Sequence, residues 1–314
     1  MTGLMNRLTS SAQLVETEED LIMRKEFRSI LMNKSLTMFF QPIINFRTGD
    51  NFGFEALTRG PLDSKFHSPL HLFQYAEKLG LLYPLEKIAR ELAFKNSHSL
   101  LQNGEKLFIN ISSQVVHDPS FTPGHTASLL EQFDVNPEEV VFEITERSAI
   151  EDFTTFREAL NHYRDQGFEI AIDDAGAGYS SLQAISEIMP DYIKIDRSLI
   201  SNIDENDVKK HILEAFVTFA QKMNSTIIAE GIETSEELRT VMDLGIDCGQ
   251  GYYLARPNFP VKEVPKIIIN EIIHYHAAIQ SALKPRTFFV NLDDEIIIMD
   301  NNQVLKKSIA NRLI

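Results

Sequence analysis

Eight short runs of apolar, largely β-branched residues recur along this chain, at 38–44, 52–57, 106–111, 140–144, 169–173, 192–195, 226–229 and 246–249. Most are separated by stretches long enough for a helix, and strands joined by helical crossovers run parallel. A closed barrel of such strands brings every strand end to one mouth. The polar residues that interrupt or end the runs then become neighbours: Glu55, Asn110, Glu143, Asp173, Asp174, Lys194, Glu230 and Gln250. The pattern predicts an α/β fold, a TIM-like (β/α)8 barrel, with a doubly wound open sheet as the alternative. The first connection, 47–50, is too short for a crossover helix, so strands one and two should pair antiparallel.

Helical spacing fills the gaps. Thr17 with Asp20 reads as a capping pair ahead of Met23, Phe27, Ile30 and Leu31, which form one apolar face. Further helices are expected at 70–79, 85–101, 128–133, 153–166, 181–188, 208–223 and 235–244. Beyond Pro257 the pattern changes. A helix over 261–283 carries Ile267, Ile268, Ile272 and Ile273 as its stripe and is stopped by Pro285; a hairpin of 287–292 and 295–299 turns at Asp293-Asp294, and a last helix begins at Gln303. The expected organisation is a leader and helix over 1–36, the barrel over 37–260, and a helix and hairpin extension over 261–314.

With 314 residues and 43% hydrophobic content the chain can bury a sizeable core. The expected setting is the cytoplasm. No run approaches the roughly 20 apolar residues of a membrane span, Glu16 to Asp20 break any signal-like h-region, and a lone Cys248 fits a reducing compartment. A net charge of −15 argues against a DNA duplex as partner. It leaves room for a polyanionic ligand held through divalent cations that carboxylates gather.

Each polar strand residue has a structural alternative beside the functional one. Asp173-Asp174, followed by Gly176 and Gly178, place two like charges together and favour a cation between them; the alternative is a helix-capping Asp with a solvated neighbour. Strand alternation sends one of the two to the lumen and the other to the adjoining loop. Glu143 lies among aliphatics, where a carboxylate must be paired, protonated or bound to metal. Asn110 poses the same problem for an amide. Glu55 closes its strand, with Arg59 four residues on as a simple ion-pair partner. Lys194 alternates with Ile193 and Ile195, so its ammonium faces inward, as an interior salt bridge or as a group holding a water or phosphoryl oxygen. Glu230 and Glu233 flank Gly231 in what is otherwise a helix-capping loop. Together these oxygens suit Mg²⁺ or Mn²⁺ and not zinc or copper, for which no Cys or His cluster exists. His274 and His276 read as surface residues.

These residues stand in blocks that resemble one family. Glu55-Ala56-Leu57, with Gln41-Pro42-Ile43 before it and Arg59 after it, resembles the signature of the EAL-domain cyclic di-GMP phosphodiesterases. The same likeness runs through Asn110 in Phe-Ile-Asn-Ile-Ser, Glu143 and Glu146 in Glu-Ile-Thr-Glu, and Asp173-Asp174 before a Gly-rich turn. It continues through Lys194 in Ile-Lys-Ile-Asp-Arg, Glu230 and Glu233 in Ala-Glu-Gly-Ile-Glu-Thr, and Gln250-Gly251-Tyr252 before Arg256-Pro257. The resemblance implies hydrolysis of cyclic di-GMP to linear pGpG. It implies that Glu55, Asn110, Glu143 and Asp173 hold one metal, with Asp173 bridging to a second shared with Asp174 and helped by Glu230. Paired Mg²⁺ or Mn²⁺ ions polarise the phosphoryl group and generate hydroxide near neutral pH. Lys194 would position that nucleophile, with Glu230 and Glu233 in catalytic roles. Arg59 would grip phosphate, Gln41, Leu57 and Gln250 would line the nucleotide, and Glu146 would restrain the loop after Asp174. A homodimer is implied by the resemblance alone.

One block departs from the family: Asp-Asp-Phe-Gly-Thr-Gly reads Asp-Asp-Ala175-Gly-Ala177-Gly here. That departure supports a different class of function, a cyclic di-GMP receptor that binds without cutting and signals through the first helix or the tail. A barrel phosphohydrolase for another substrate is the third reading. No Gly-Gly-Asp-Glu-Phe signature of a synthase occurs.

Overall fold

Side chains two residues apart on a strand point the same way, and this period sorts each apolar run into an inward and an outward row. In the computed structural model, which describes residues 17–112, 125–145, 153–178, 181–283, 288–292, 295–300 and 303–309, the runs close into a barrel in the order β1 to β8. The strands are β1 Thr37–Asn45, β2 Asn51–Arg59, β3 Lys106–Asn110, β4 Val140–Thr145, β5 Glu169–Ala175, β6 Tyr192–Ile195, β7 Thr226–Ala229 and β8 Cys248–Gly249. As expected, β1 is antiparallel to β2, with Gln41 opposite Glu55, and it is antiparallel to β8 as well. All pairings from β2 to β8 are parallel.

The inward row forms one apolar layer of Ile43, Phe108, Val141, Ala171, Tyr192, Ile228 and Cys248. The outward row, including Phe54, Ile109, Phe142, Ile172 and Ile193, packs beneath the helices in a second and larger core. Two residues beyond each inward apolar residue of the parallel strands the same face is polar: Asn110 after Phe108, Glu143 after Val141, Asp173 after Ala171, Lys194 after Tyr192, Glu230 after Ile228 and Gln250 after Cys248, while on the antiparallel β1 it is Gln41, two residues before Ile43. A plug of hydrocarbon therefore floors a polar mouth.

The helices that cover the barrel are α1 Glu18–Met32, α2 Pro69–Lys78, α3 Leu82–Ser97, α4 His125–Phe133, α5 Phe153–Arg164, α6 Ser181–Ile188, α7 Asp207–Met223, α8 Ser235–Asp243 and α9 Lys266–Leu283. Thr17 and Asp20 close a capping box on α1, and Phe27 and Ile30 are its buried residues. They join Phe66, Leu72, Ala76 and Leu85 in a satellite core between α1, α2 and α3.

Several expectations are corrected. β2 continues to Arg59, so Glu55 lies within its strand and does not close it. The tail helix α9 starts at Lys266, not 261, and its buried face is Ile268 and Ile272, whereas Ile267 is 79% and Ile273 41% exposed. Four isoleucines in two adjacent pairs subtend too wide an arc for one face against the barrel, so one of each pair is turned out. The predicted helix from Gln303 is a strand, Gln303–Ile309, which pairs antiparallel with Glu295–Asp300, itself paired with Phe288–Leu292. Asp300 faces Gln303 across only Asn301-Asn302, a two-residue connection that favours a hairpin over a helix start. The leader, the Asp293-Asp294 turn, Pro285 and Glu146 lie outside the described residues. No helix among those described is long and apolar enough to cross a membrane.

Candidate active site

Lys194 organises the mouth. Its side chain is fully buried, and its Nζ lies 2.5 Å from Glu143, 2.7 Å from Glu230, 3.0 Å from Asp173 and 3.5 Å from Glu55. Four parallel strands and β2 thus place one ammonium among four carboxylates. Burial alone would push this amine down, but Asp173, Glu143, Glu230 and Glu55 outweigh it and hold its pKa well above the usual lysine range. The carboxylates respond in kind. Glu143 is pushed well up by burial, with Glu55 and Asp173 adding repulsion that Lys194 only partly offsets. Glu230 is likewise raised by burial and then by Asp173. One positive charge among so many carboxylates leaves an excess of negative potential that only protons or further cations relieve.

Amide side chains tie the carboxylates together. Asn110 donates through Nδ2 to Glu55 Oε1 at 3.2 Å and Glu143 Oε2 at 2.9 Å. Gln250 donates to Glu55 Oε2 at 2.7 Å and Glu230 Oε1 at 2.8 Å, so it stands inside the charge cluster. Close backbone packing holds it there. Ile232 N–H donates to the Gln250 carbonyl, and a Cβ on Gly251 would come within 2.1 Å of the Ile232 oxygen, so only glycine permits this approach.

Asp174 arrives by a route that strand alternation does not supply. The pairing of β5 with β6 slips between Ile172 and Ala175, and Asp174 takes a left-handed φ of 58°. A bulge of this kind re-aims a side chain, and Asp is among the few non-glycine residues that tolerate the left-handed region. The result is that Asp173, Asp174 and Glu230 each present a carboxylate oxygen within 4.8 Å of the others. Burial, then the neighbouring Asp173 and Asp196, raise the Asp174 carboxyl to about 6. Three hard oxygen donors at this spacing, with Asn110, Glu55 and Glu143 alongside, fit a divalent cation.

The remaining residues lie around this centre. Gln41 is buried on β1 and donates to the Ala255 carbonyl at 3.1 Å. Leu57 is half-buried on β2 opposite Phe39. Arg59 sits with its guanidinium 5.6 Å from the Phe39 ring centre, and burial lowers its pKa. Glu233 does not join the carboxylates around Lys194; it pairs with Arg197 at 2.7 Å. Sequence reasoning assigned no role to Phe39, or to the exposed pair Tyr252 and Arg256, whose guanidinium stacks 4.0 Å from the ring centre. The four-residue spacing of Tyr252 and Arg256 was the available signal; the Phe39 contact depends on cross-strand register.

The profile of the EAL domain matches residues 24–257. Among curated proteins the chain is 31% identical over 250 residues to the probable cyclic di-GMP phosphodiesterase PdeG of Escherichia coli K12, covering 78% of this chain and 48% of that one. It is also 31% identical to the probable cyclic di-GMP phosphodiesterase PdeB of the same organism, over 71% of this chain and 43% of the relative. The chain thus spans about half the length of these relatives. Among solved structures it resembles Klebsiella pneumoniae BlrP1 in a manganese and cyclic di-GMP complex, with TM-score 0.64, 30% identity, 71% of this chain and 56% of that chain covered. A standalone protein from Vibrio cholerae O395, solved with cyclic di-GMP bound, gives TM-score 0.64 and 30% identity over 74% of this chain and 96% of the other.

Proposed function

This chain belongs to the EAL domain family, and on that footing we propose that its barrel mouth hydrolyses cyclic di-GMP to linear pGpG with the help of two Mg²⁺ or Mn²⁺ ions. The observation that carries the reading is the convergence of Glu55, Asn110, Glu143, Asp173, Asp174 and Glu230 around the buried ammonium of Lys194. Glu55, Asn110, Glu143 and Asp173 would hold one ion, and Asp173, Asp174 and Glu230 would hold the other. Bound divalent ions polarise a phosphoryl oxygen and lower the pKa of water.

The protein's own groups supply the rest. Lys194, kept protonated by its carboxylates, orients the attacking water and steadies charge on the phosphoryl oxygens. Glu230, its pKa raised by burial, accepts the water's proton. Arg59 binds the phosphate that is not cut, and Gln41 and Leu57 line the nucleotide. The half-buried Phe39 and the exposed Tyr252 ring offer faces for guanine to stack upon. Gln250 orders Glu55 and Glu230, and Glu233 supports the loop after Glu230 through Arg197. A cytoplasmic homodimer belongs to the same proposal.

Ala175 and Ala177 favour one second reading, a receptor that binds cyclic di-GMP without cutting it. Incubation with cyclic di-GMP and Mn²⁺, with products resolved chromatographically, separates the two. Formation of pGpG that stops in Glu55→Ala and Lys194→Ala is the expected result. Tight binding with no product would replace the enzyme by the receptor.

A further inference from the structure

Behind the site, on the outer side of the barrel, α3 buries two charged side chains one turn apart where hydrocarbon would be the ordinary filling. Glu86 is 5% and Arg90 4% exposed. Glu86 Oε1 accepts the backbone N–H of Ser112 at 3.0 Å, two residues past Asn110. Arg90 donates to Thr126 Oγ1 on α4 at 2.8 Å, hydrogen-bonds the Tyr163 side chain, and lies with its guanidinium 5.4 Å from the ring centre of Phe142, the residue before Glu143. One helix therefore grips the chain just after one proposed metal ligand and packs over the residue just before another.

Stability does not ask for this arrangement. Replacing a buried ionic group by hydrocarbon of like volume is often neutral or stabilising, and Glu86 Oε2 and Arg90 Nε have no hydrogen-bond partner among the described residues. Burial pushes the Glu86 carboxyl up to about 8, so near neutral pH it acts mainly as an uncharged acceptor. A polar anchor is what β3 needs, because its ladder ends at Asn110 and the parallel register runs out there. Ile111 N–H still bonds the Glu143 carbonyl, and Ser112 is the next backbone donor in line.

We infer that Glu86 and Arg90 are positioning residues: Glu86 fixes the height at which Asn110 leaves β3, and Arg90 fixes β4 behind Glu143, so that both reach the same cation. This rests on the metal-binding reading above. Groups that orient metal ligands from behind typically change metal affinity by about 10- to 100-fold when removed.

The test compares wild type with Glu86→Gln, Glu86→Leu and Ser112→Pro, each checked for folding by circular dichroism. Two readouts are taken on the full chain: calorimetric titration with Mn²⁺, and amide exchange at Ser112 without metal. Glu86→Gln keeps an acceptor and should retain Mn²⁺ affinity within about twofold and protect the Ser112 amide. Glu86→Leu should expose that amide, and both it and Ser112→Pro should weaken Mn²⁺ by about 10-fold or more. A folded Glu86→Leu with wild-type protection and affinity would overturn the inference. If Glu86→Leu does not fold, wild-type affinity in Ser112→Pro overturns it and a loss there, with Glu86→Gln intact, supports it. If wild type takes up no Mn²⁺, the two-metal reading falls, while unchanged Ser112 exchange in Glu86→Leu would separately remove the role of Glu86.

Discussion

Replacing Lys194 by Met removes the ammonium that four carboxylates share while keeping most of the side-chain volume. At an effective dielectric constant of about 20, a charge contact near 3 Å is worth about 5 kcal/mol before desolvation is counted. Contacts to Glu143, Glu230, Asp173 and Glu55 fall between 2.5 and 3.5 Å. Mutual repulsion of the carboxylates and the burial of Lys194 cancel much of that gross attraction. Breaking a buried pair by removing one partner costs about 3–5 kcal/mol, and that range is the expected loss at pH 8. In a domain of this size it lowers the melting temperature by about 10 °C.

The pH dependence carries the sharper test. Glu143 and Glu230 already have folded pKa values above the unfolded carboxyl range, and without the ammonium they rise further. A group raised in the folded state binds more protons folded than unfolded, so the variant's stability must fall as pH climbs. Urea unfolding at pH 5 and pH 8 should therefore show the gap to wild type opening with pH. Mn²⁺ at 100 times its Kd adds about 2.7 kcal/mol to either protein, so saturating Mn²⁺ should narrow the gap by the amount that the variant, its carboxylates no longer neutralised by the ammonium, binds the ion more tightly. A variant as stable as wild type at pH 8, or one that loses more at pH 5, would show that the five side chains do not form one electrostatic unit.

Glu86→Gln should match wild type near pH 4.5 and become the more stable protein as pH rises to about 8, since the wild-type carboxyl goes from 4.5 unfolded to about 8 folded; the gain has an upper bound of about 5 kcal/mol and is read by urea denaturation across that window. Mn²⁺ affinity should weaken below about pH 6, where Asp174 takes up a proton, and calorimetric titration should find that step diminished in Asp174→Asn. Gly251→Ala should cost about 1–3 kcal/mol or more in thermal unfolding, because its Cβ would lie 2.1 Å from the Ile232 oxygen, backbone that cannot turn aside.

What the residues determined by themselves is what short-range periodicity encodes. Alternation in Phe108-Ile109-Asn110 or Tyr192-Ile193-Lys194 states which side chains share a face, and the short 47–50 connection forces the antiparallel first pair. Thr17 and Asp20 announce a helix start three residues apart. Each of these rules acts over a turn or a pleat, so the chain displays it locally. Everything that depends on how distant segments register was left to the tertiary structure. The slip between β5 and β6 turns Asp174 toward Glu230, where alternation would have sent it away from Asp173. Docking against the barrel selects Ile268 over Ile267, and pairing with the preceding strand makes 303–309 a strand. Glu233 finds Arg197, and Glu86 finds Ser112, across sequence separations that no local pattern reports. Burial then sets the chemistry, because a carboxyl's pKa depends on the charges and solvent around it, and only the closed barrel brings Lys194 and its four carboxylates into the same dry space.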